Sequence, residues 1–399
     1  MIMYIFSIMP MNQGDIASEL IVNELRNNIN TYGVIFHFLS VISFLVGAHV
    51  ATFSYRYSGS KERFFILRQR RFNTIIYLYC LIGVGVILWQ ISVSVSLGNY
   101  LNELIFNIGT VNPEIRSYML KDRESGGLPG IIKMFSYLPL SALYMVLTYE
   151  IVKSKIDRKP KIMSGKTKRY VFFIFITILV RSIFVLDRAV LLSFLVIIVY
   201  YFVFFATMNS KKFMFTLLKR PIFYFGTLIV LVFSQWWSYV RQGVGILDTL
   251  KQYSSLGLAN LSILFESDFD YTLGRSVFAV VQFPLKYFGL KDIFPELTQE
   301  NWVWNPAKYL TAYAYQDFGV FCIVFFFFLG IFTTLIHLKA WYKLNPYSIT
   351  VLFALIIAIV SSIVVPLFRG AEWWVSLLMG MIGIKLCFKT PYAKQLGES

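Results

Sequence analysis

Apolar positions along this chain form long unbroken runs, without the short alternations of strands or the one-sided stripes of surface helices. A bilayer core of about 30 Å takes roughly 20 apolar residues per helix. Nine runs approach that length: 31–53, 74–98, 130–151, 170–186, 189–208, 221–237, 318–338, 348–368 and 371–388. One unbroken helix from 170 to 208 would extend about 58 Å at 1.5 Å per residue, too long for one crossing. The polar joint at Asp187–Arg188 and the basic flanks on both sides predict a hairpin. Two connections are large, 99–129 and 238–317. The second holds apolar stretches of its own, Leu256–Phe265 and Ser276–Leu290, expected as short helices at the membrane surface. The pattern predicts an all-α, polytopic membrane protein with nine or ten spans, read as a single transmembrane domain over 1–399.

Composition agrees. Of 399 residues 57% are hydrophobic and only 15% charged, against roughly 25% charged in soluble domains. A water-soluble globule has too little interior to hide that much apolar surface. The formal charge of +16 looks like the mark of a polyanion binder until it is placed along the chain. Alternate connections carry 23 Lys and Arg against four acids, while the opposite set carries 12 bases and 14 acids. Basic loops mark the cytoplasmic side, so the excess charge reports topology, and no nucleic-acid partner is implied. The C-terminus falls inside, and both large connections fall outside.

The N-terminal region is the weak point of that scheme. Met1–Met11 is apolar but about half a span long, without the basic start or cleavage site of a signal peptide. Asp15–Asn30 is amphipathic, with Ile16, Leu20, Ile21 and Leu25 on one side, so it either lies along the interface or belongs to a short tenth crossing. The inside loops contain no phosphate-binding glycine motif. Cys80, Cys322 and Cys387 sit in apolar runs without metal-site spacing and read as small buried hydrophobes. Size alone makes the outer connections the place for recognition or catalysis.

Arginine marks the outer helix ends, where lysine is nearly missing: Arg188 at the hairpin tip, then Arg241, Arg275 and Arg369. Arg181 precedes Arg188 by seven residues, which on one helix would set both side chains on one face about 10 Å apart. A charge inside a span costs at least about 2.5–3.5 kcal/mol, so Arg181 is expected in a wet or anionic cavity. A single boundary arginine commonly snorkels to the headgroups. Several forked guanidinium groups together suit a diphosphate. Among carboxylates, Asp317 lies where a span begins and reads either as a helix cap or as a base. Glu372 is three residues from Arg369, on the same face if the helix has started, and Asp270 closes an acidic loop motif with Glu266 and Asp268. That motif is weak as a metal site, and none is assigned. All three histidines are inside spans, so a proton acceptor on the outer face should be a carboxylate. Six of eight tryptophans lie near the outer boundary, as an aromatic belt would. Trp302 and Trp304, in a loop, also suit sugar stacking, and Tyr313 is grouped with them.

These residues form a pattern. The hairpin ending Asp187-Arg188, the span leading into Tyr239-Val240-Arg241 and the outer Gly274-Arg275 are followed by Trp304-Asn305-Pro306. Then comes Thr311-Ala312-Tyr313-Ala314-Tyr315-Gln316-Asp317-Phe318-Gly319, running into an apolar helix with Gly330. Over about 170–370 the chain resembles the Wzy-type O-antigen polymerases, or oligosaccharide repeat-unit polymerases. The first 30 residues depart from that family, whose members usually begin with a complete span. The resemblance implies a GT-C-like glycosyltransferase, multi-pass in the bacterial inner membrane, with its site at the periplasmic face. Its partners would be membrane lipid, undecaprenyl-diphosphate-linked oligosaccharide and a polysaccharide chain-length regulator. No cofactor or metal is implied.

In that reading the growing chain leaves its lipid diphosphate for the non-reducing-end hydroxyl of a new lipid-linked unit. Arg188, Arg241, Arg275, Arg369 and Arg181 would bind substrate or diphosphate, and Asp317, Glu372 and Asp270 are the base candidates. Another polyprenyl-diphosphate glycosyltransferase or ligase is the nearest alternative, although a ligase would be expected to place a histidine in the large outer loop. A lipid-linked oligosaccharide flippase would favour short outer loops and deep polar residues.

Overall fold

The computed structural model describes residues 29–55, 66–94, 130–156, 163–184, 188–209, 246–266, 271–274, 276–277, 309–362 and 370–389. Among them the chain is helical apart from one antiparallel pair of two-residue strands, β1 (Ile66–Leu67) and β2 (Phe388–Lys389). Among the described residues five helical stretches are long and apolar enough to cross a membrane: Thr31–Ser54, Gln69–Gln90, Ile132–Ser154, Ala189–Met208 and Leu310–Lys343. They match five of the nine expected spans and fit an α-helical membrane protein. The expected span 221–237 lies outside the described residues.

The chain divides into two compact units, each assembled from separated stretches. The first contains α1 (Thr31–Ser54), α7 (Ile246–Glu266), α8 (Leu310–Phe318) and the start of α9 (Cys322–Lys343). Asn30 starts α1: its Oδ1 accepts the Gly33 N–H at 2.7 Å, one of the donors that a helix start leaves unpaired. The Asn30 amide also donates to Ser262 O and Glu266 Oε1 on α7, at 3.3 and 2.8 Å. Along α1 the buried positions are small or slotted between neighbours: Gly33, Phe36, Ser40, Gly47 and Ala51. Gly47 rests on the Phe327 carbonyl of α9, and Gly330 of α9 rests on the Phe44 carbonyl of α1; a Cβ at either would overlap the facing backbone. The Ser43 hydroxyl donates to Ile323 O at 2.7 Å along the same seam. Lipid tails are as apolar as leucine, so helices in a bilayer associate through close fit and inter-helix hydrogen bonds of this kind.

In the first unit α7 departs from expectation. The stretch Leu256–Phe265, read as a surface helix, belongs to a 21-residue helix whose residues Ser255–Ser262 are buried and which packs on α1 and α8. Hydropathy detects such a run but does not tell a lipid surface from a protein one. Gly257 makes room for the Tyr309 ring.

The second unit contains α2 (Gln69–Ser94), α3 (Gly130–Met134), α4 (Leu138–Ile156), α5 (Gly165–Phe184), α6 (Arg188–Asn209) and α11 (Ala371–Cys387). It also holds the last part of α9 and most of α10 (Pro346–Ser361). At its centre is α4, packed on α2, α5 and α11, with Ala142–Leu147 wholly enclosed. Gly380 and Gly383 of α11 lie against Tyr144 and Met145, where added carbons would crowd those side chains. The buried carboxylate of Glu150 accepts from Ser164 N at 2.7 Å and Thr167 Oγ1 at 2.6 Å, tying the end of α4 to the start of α5. The three cysteines are buried and free, as their apolar surroundings led one to expect.

Two expectations about continuity are corrected. α5 ends at Phe184 and α6 begins at Arg188, so one-helix spacing does not relate Arg181 to Arg188. The run 348–368 is not one helix: α10 ends at Ser361, and the Ser362 carbonyl instead accepts the N–H of Leu310 at 3.1 Å.

The seam between α1 and α9 generates a prediction. Gly47→Leu and Gly330→Leu should each destabilise the protein by about 1–3 kcal/mol, the usual result of overpacking, in denaturation of the detergent-solubilised chain. Gly85→Ala, at a helical position with no atom in reach of the new carbon, should stay within about 1 kcal/mol of the parent.

Candidate functional site

A buried polar cluster gathers at the end of α8. Asp317 has 0% exposure. Its Oδ1 accepts the Ser276 N–H at 2.8 Å and the Thr272 hydroxyl, and its Oδ2 accepts the Val277 N–H at 2.6 Å. Gln316 completes the arrangement: its carbonyl accepts Thr272 N–H at 3.1 Å, and its Oε1 accepts the Ser276 hydroxyl at 3.3 Å. Two consecutive backbone amides thus converge on one carboxylate from 40 and 41 residues away.

Each hydrogen bond to a charged acceptor is worth about 1.5–3 kcal/mol net, whereas burying a carboxylate costs several kcal/mol. The two terms are similar in size, so the site depends on all three donors being present.

The segment held in this way is strained. Leu273 and Gly274 have φ of 47° and 94°, a region that costs a side-chain-bearing residue about 1–2 kcal/mol. Leu273 is 69% exposed although Thr272, Gly274, Ser276 and Val277 are buried. The other end of the cluster needs a glycine. Gly319 closes α8 at φ 57° and ψ −139°, and a Cβ there would approach the Tyr271 ring at 2.8 Å. The Gln316-Asp317-Phe318-Gly319 motif therefore has a physical reading: an acceptor pair followed by a residue that alone tolerates both the turn and the ring.

At the other end of α8, His37 of α1 meets Thr311, Nδ1 to Oγ1 2.9 Å, and packs on the Tyr309 ring. Tyr313, a candidate for sugar stacking, is buried in the apolar core with Phe36, Val277, Leu310, Ala314, Cys322 and Phe326. Its ring faces protein. Asp317 does not cap the start of a span as one reading had it, because it lies in the last turn of α8.

In the second unit Glu372 sits in the first turn of α11, half-buried, where the helix dipole favours an acid. The helix starts at Ala371, and Arg369, expected to share its face with Glu372, lies outside the described residues. Trp373, expected in an interfacial belt, is buried and donates its indole N–H to Ala354 O at 3.1 Å. Arg181 is 5% exposed; its Nη1 donates to Ser136 Oγ at 3.3 Å and its guanidinium lies 4.0 Å from the Tyr137 ring centre. A hydroxyl and an aromatic ring are thus among the neighbours that offset the burial of its charge.

Arg188 supplies the first residue of α6. Arg241, Arg275, Arg369, Asp270, Trp302 and Trp304 lie outside the described residues. No group of three His, Cys, Asp or Glu side chains converges among the described residues. Sequence reasoning missed Thr272, Ser276 and Asn30. Asn30 carried a signal, an Asn directly before an apolar run; Thr272 and Ser276 carried none, since their partner is far along the chain. Comparison with family models, curated proteins and solved structures gave no match.

The geometry at Gly319 separates two causes of strain. Gly319→Ala should destabilise by about 2 kcal/mol or more, through both the positive φ and contact with Tyr271. Adding Tyr271→Ala should recover the contact part only, leaving about 1–2 kcal/mol from the backbone. A double-mutant cycle by thermal unfolding checks this.

Proposed function

We propose that the chain polymerises lipid-linked oligosaccharide repeat units at the periplasmic face of the bacterial inner membrane. The growing chain passes from undecaprenyl diphosphate to the non-reducing-end hydroxyl of a new lipid-linked unit, as the resemblance to Wzy-type polymerases implies. The observation that carries the reading is the strained Leu273, flanked by Thr272, Ser276 and Val277 that Asp317 anchors, in the segment where the sequence places Arg275. Backbone strain such as that at Leu273 clusters at functional sites. Helices long and apolar enough to cross a membrane and the arginines at the outer span ends support it.

The chemistry needs little more. Attack of the acceptor hydroxyl on the anomeric carbon forms the glycosidic bond and breaks the carbon–oxygen bond to diphosphate. The leaving electron pair ends on a diphosphate oxygen, where guanidinium groups stabilise it. The hydroxyl proton goes to a carboxylate. Of the candidates, Glu372 is half-buried and Asp270 belongs to the acidic loop motif, whereas Asp317 already accepts three donors.

The test is surface-glycan length on a gel, in the source bacterium with this gene deleted and then restored. The expected result is loss of the ladder, leaving a single repeat unit, and its return on restoration. Complete loss of repeat units favours a flippase or ligase instead, and an unchanged ladder overturns the proposal. Replacing Arg188, Arg241, Arg275 or Arg369 with Lys should shorten the ladder, with rates down about 10²–10³ as for loss of an oxyanion donor. A site that keeps full polymer length leaves the diphosphate clamp.

A further inference from the structure

We propose that the groove between the starts of α2 and α5, within the second unit, binds an anionic phospholipid of the surrounding bilayer. The assignment does not depend on the polymerase reading. The two helices run side by side from the same end. Asn73 Oδ1 accepts the Tyr170 hydroxyl at 2.6 Å, and one turn deeper the Tyr77 ring meets those of Tyr170 and Phe173, with centroids 5.9 and 5.5 Å away. Those contacts fix which faces line the groove. On α2, Arg70 lies three residues before Asn73 and seven before Tyr77. On α5, Lys166 lies four residues before Tyr170, and Arg169 four before Phe173. Helical spacing therefore sets each base on the same face as the aromatic ring beneath it.

The groove has two tiers. Arg70, Lys166 and Arg169 are exposed at its mouth, and Lys166 Nζ lies 5.9 Å from the Tyr170 ring centre. Below them Tyr77 is 46% exposed and Phe173 half-buried, with Tyr170 as a buried floor. Seven residues of helix span about 10 Å, enough to pass from the headgroup layer into the hydrocarbon.

Charge decides the occupant. In the described stretches of the second unit the acids are Glu150 and Glu372. Glu150 is buried and already accepts Ser164 N–H and the Thr167 hydroxyl. Glu372 is in the first turn of α11, at the opposite end of that helix from Cys387, whose carbonyl accepts Arg68 N–H at 2.8 Å beside the start of α2. Among the described residues no acid is left for the three bases. Clustered bases suit a phosphate, exposed rings suit hydrocarbon, and a phospholipid offers both on one molecule. Basic pockets between membrane helices on the cytoplasmic side take anionic headgroups in this way, and the basic connections predict that side for this end. A zwitterionic lipid would bring its own cation to the bases.

Two measurements on the purified full-length chain test the assignment. In detergent micelles, fluorescent phosphatidylglycerol should bind at least about tenfold more tightly than phosphatidylcholine with the same chains. Replacing Arg70, Lys166 or Arg169 with Gln should weaken phosphatidylglycerol binding about fivefold each, and replacing all three about a hundredfold. Lys168→Gln removes the same charge from the far side of α5 and should stay within about twofold of the parent. The second measurement needs no variant. In phosphatidylcholine vesicles, phosphatidylglycerol with a photoactivatable group on its acyl chain should label Tyr77 and Phe173 in preference to the outward Ile35, Ile42 and Leu45 of α1.

Four outcomes overturn the assignment. Equal binding of the two lipids removes the role of charge. An equal loss from Lys168→Gln reduces the groove to part of a diffuse basic surface. Labelling of α1 as strong as that of the groove makes the lipid an ordinary boundary lipid. Inorganic phosphate that displaces the fluorescent lipid as well as unlabelled phosphatidylglycerol does makes the ligand a soluble anion.

Discussion

A carboxylate with no exposed surface must find its donors inside the protein, and Asp317 finds three, two of them consecutive backbone amides. The first unit is organised around this demand. It draws the Thr272–Val277 segment against α8, sets Gln316 to bind the same segment, and leaves α8 to end at a glycine that faces the Tyr271 ring. Removing the acid would leave two buried amides without partners, each at a cost of about 1–3 kcal/mol. Removing the segment would leave a buried charge. Neither side of the contact is stable without the other.

The remaining helices are governed by a different constraint. In a bilayer there is no water to drive apolar faces together, so affinity between helices comes from closeness. Both units meet it with glycines placed opposite backbone or bulky side chains: Gly47 and Gly330 in one, Gly380 and Gly383 in the other. Polar side chains fasten the same contacts from within, as in the bonds from Ser43 to Ile323 and from Ser141 to Ser376. Wide apolar faces are left outward, including Ile35, Ile42 and Leu45 of α1 and Phe328 and Phe332 of α9, as a lipid solvent favours.

Much of the helical plan was legible because a bilayer imposes a length on each apolar run. The runs at 31–53, 130–151 and 189–208 correspond closely to helices, and the break between 170–186 and 189–208 lies where α5 gives way to α6. Contacts between distant residues were not legible. Asp317 stood out by its place beside a span, but its partners lie about 40 residues earlier, and no local pattern links a buried acid to amides so far away. Leu256–Phe265 shows the same limit from the other side: an apolar run reveals that it leaves water, and only packing reveals whether lipid or protein receives it. Tyr313 and Trp373 looked like surface aromatics by position, and each serves as a packing residue.

The most direct measurement is the stoichiometry of the reaction in vesicles that contain only the purified chain and a lipid-linked repeat-unit oligosaccharide. The account predicts one lipid diphosphate released for every new glycosidic bond, with no nucleotide sugar supplied. New bonds without lipid diphosphate release, or no bonds at all, would contradict it.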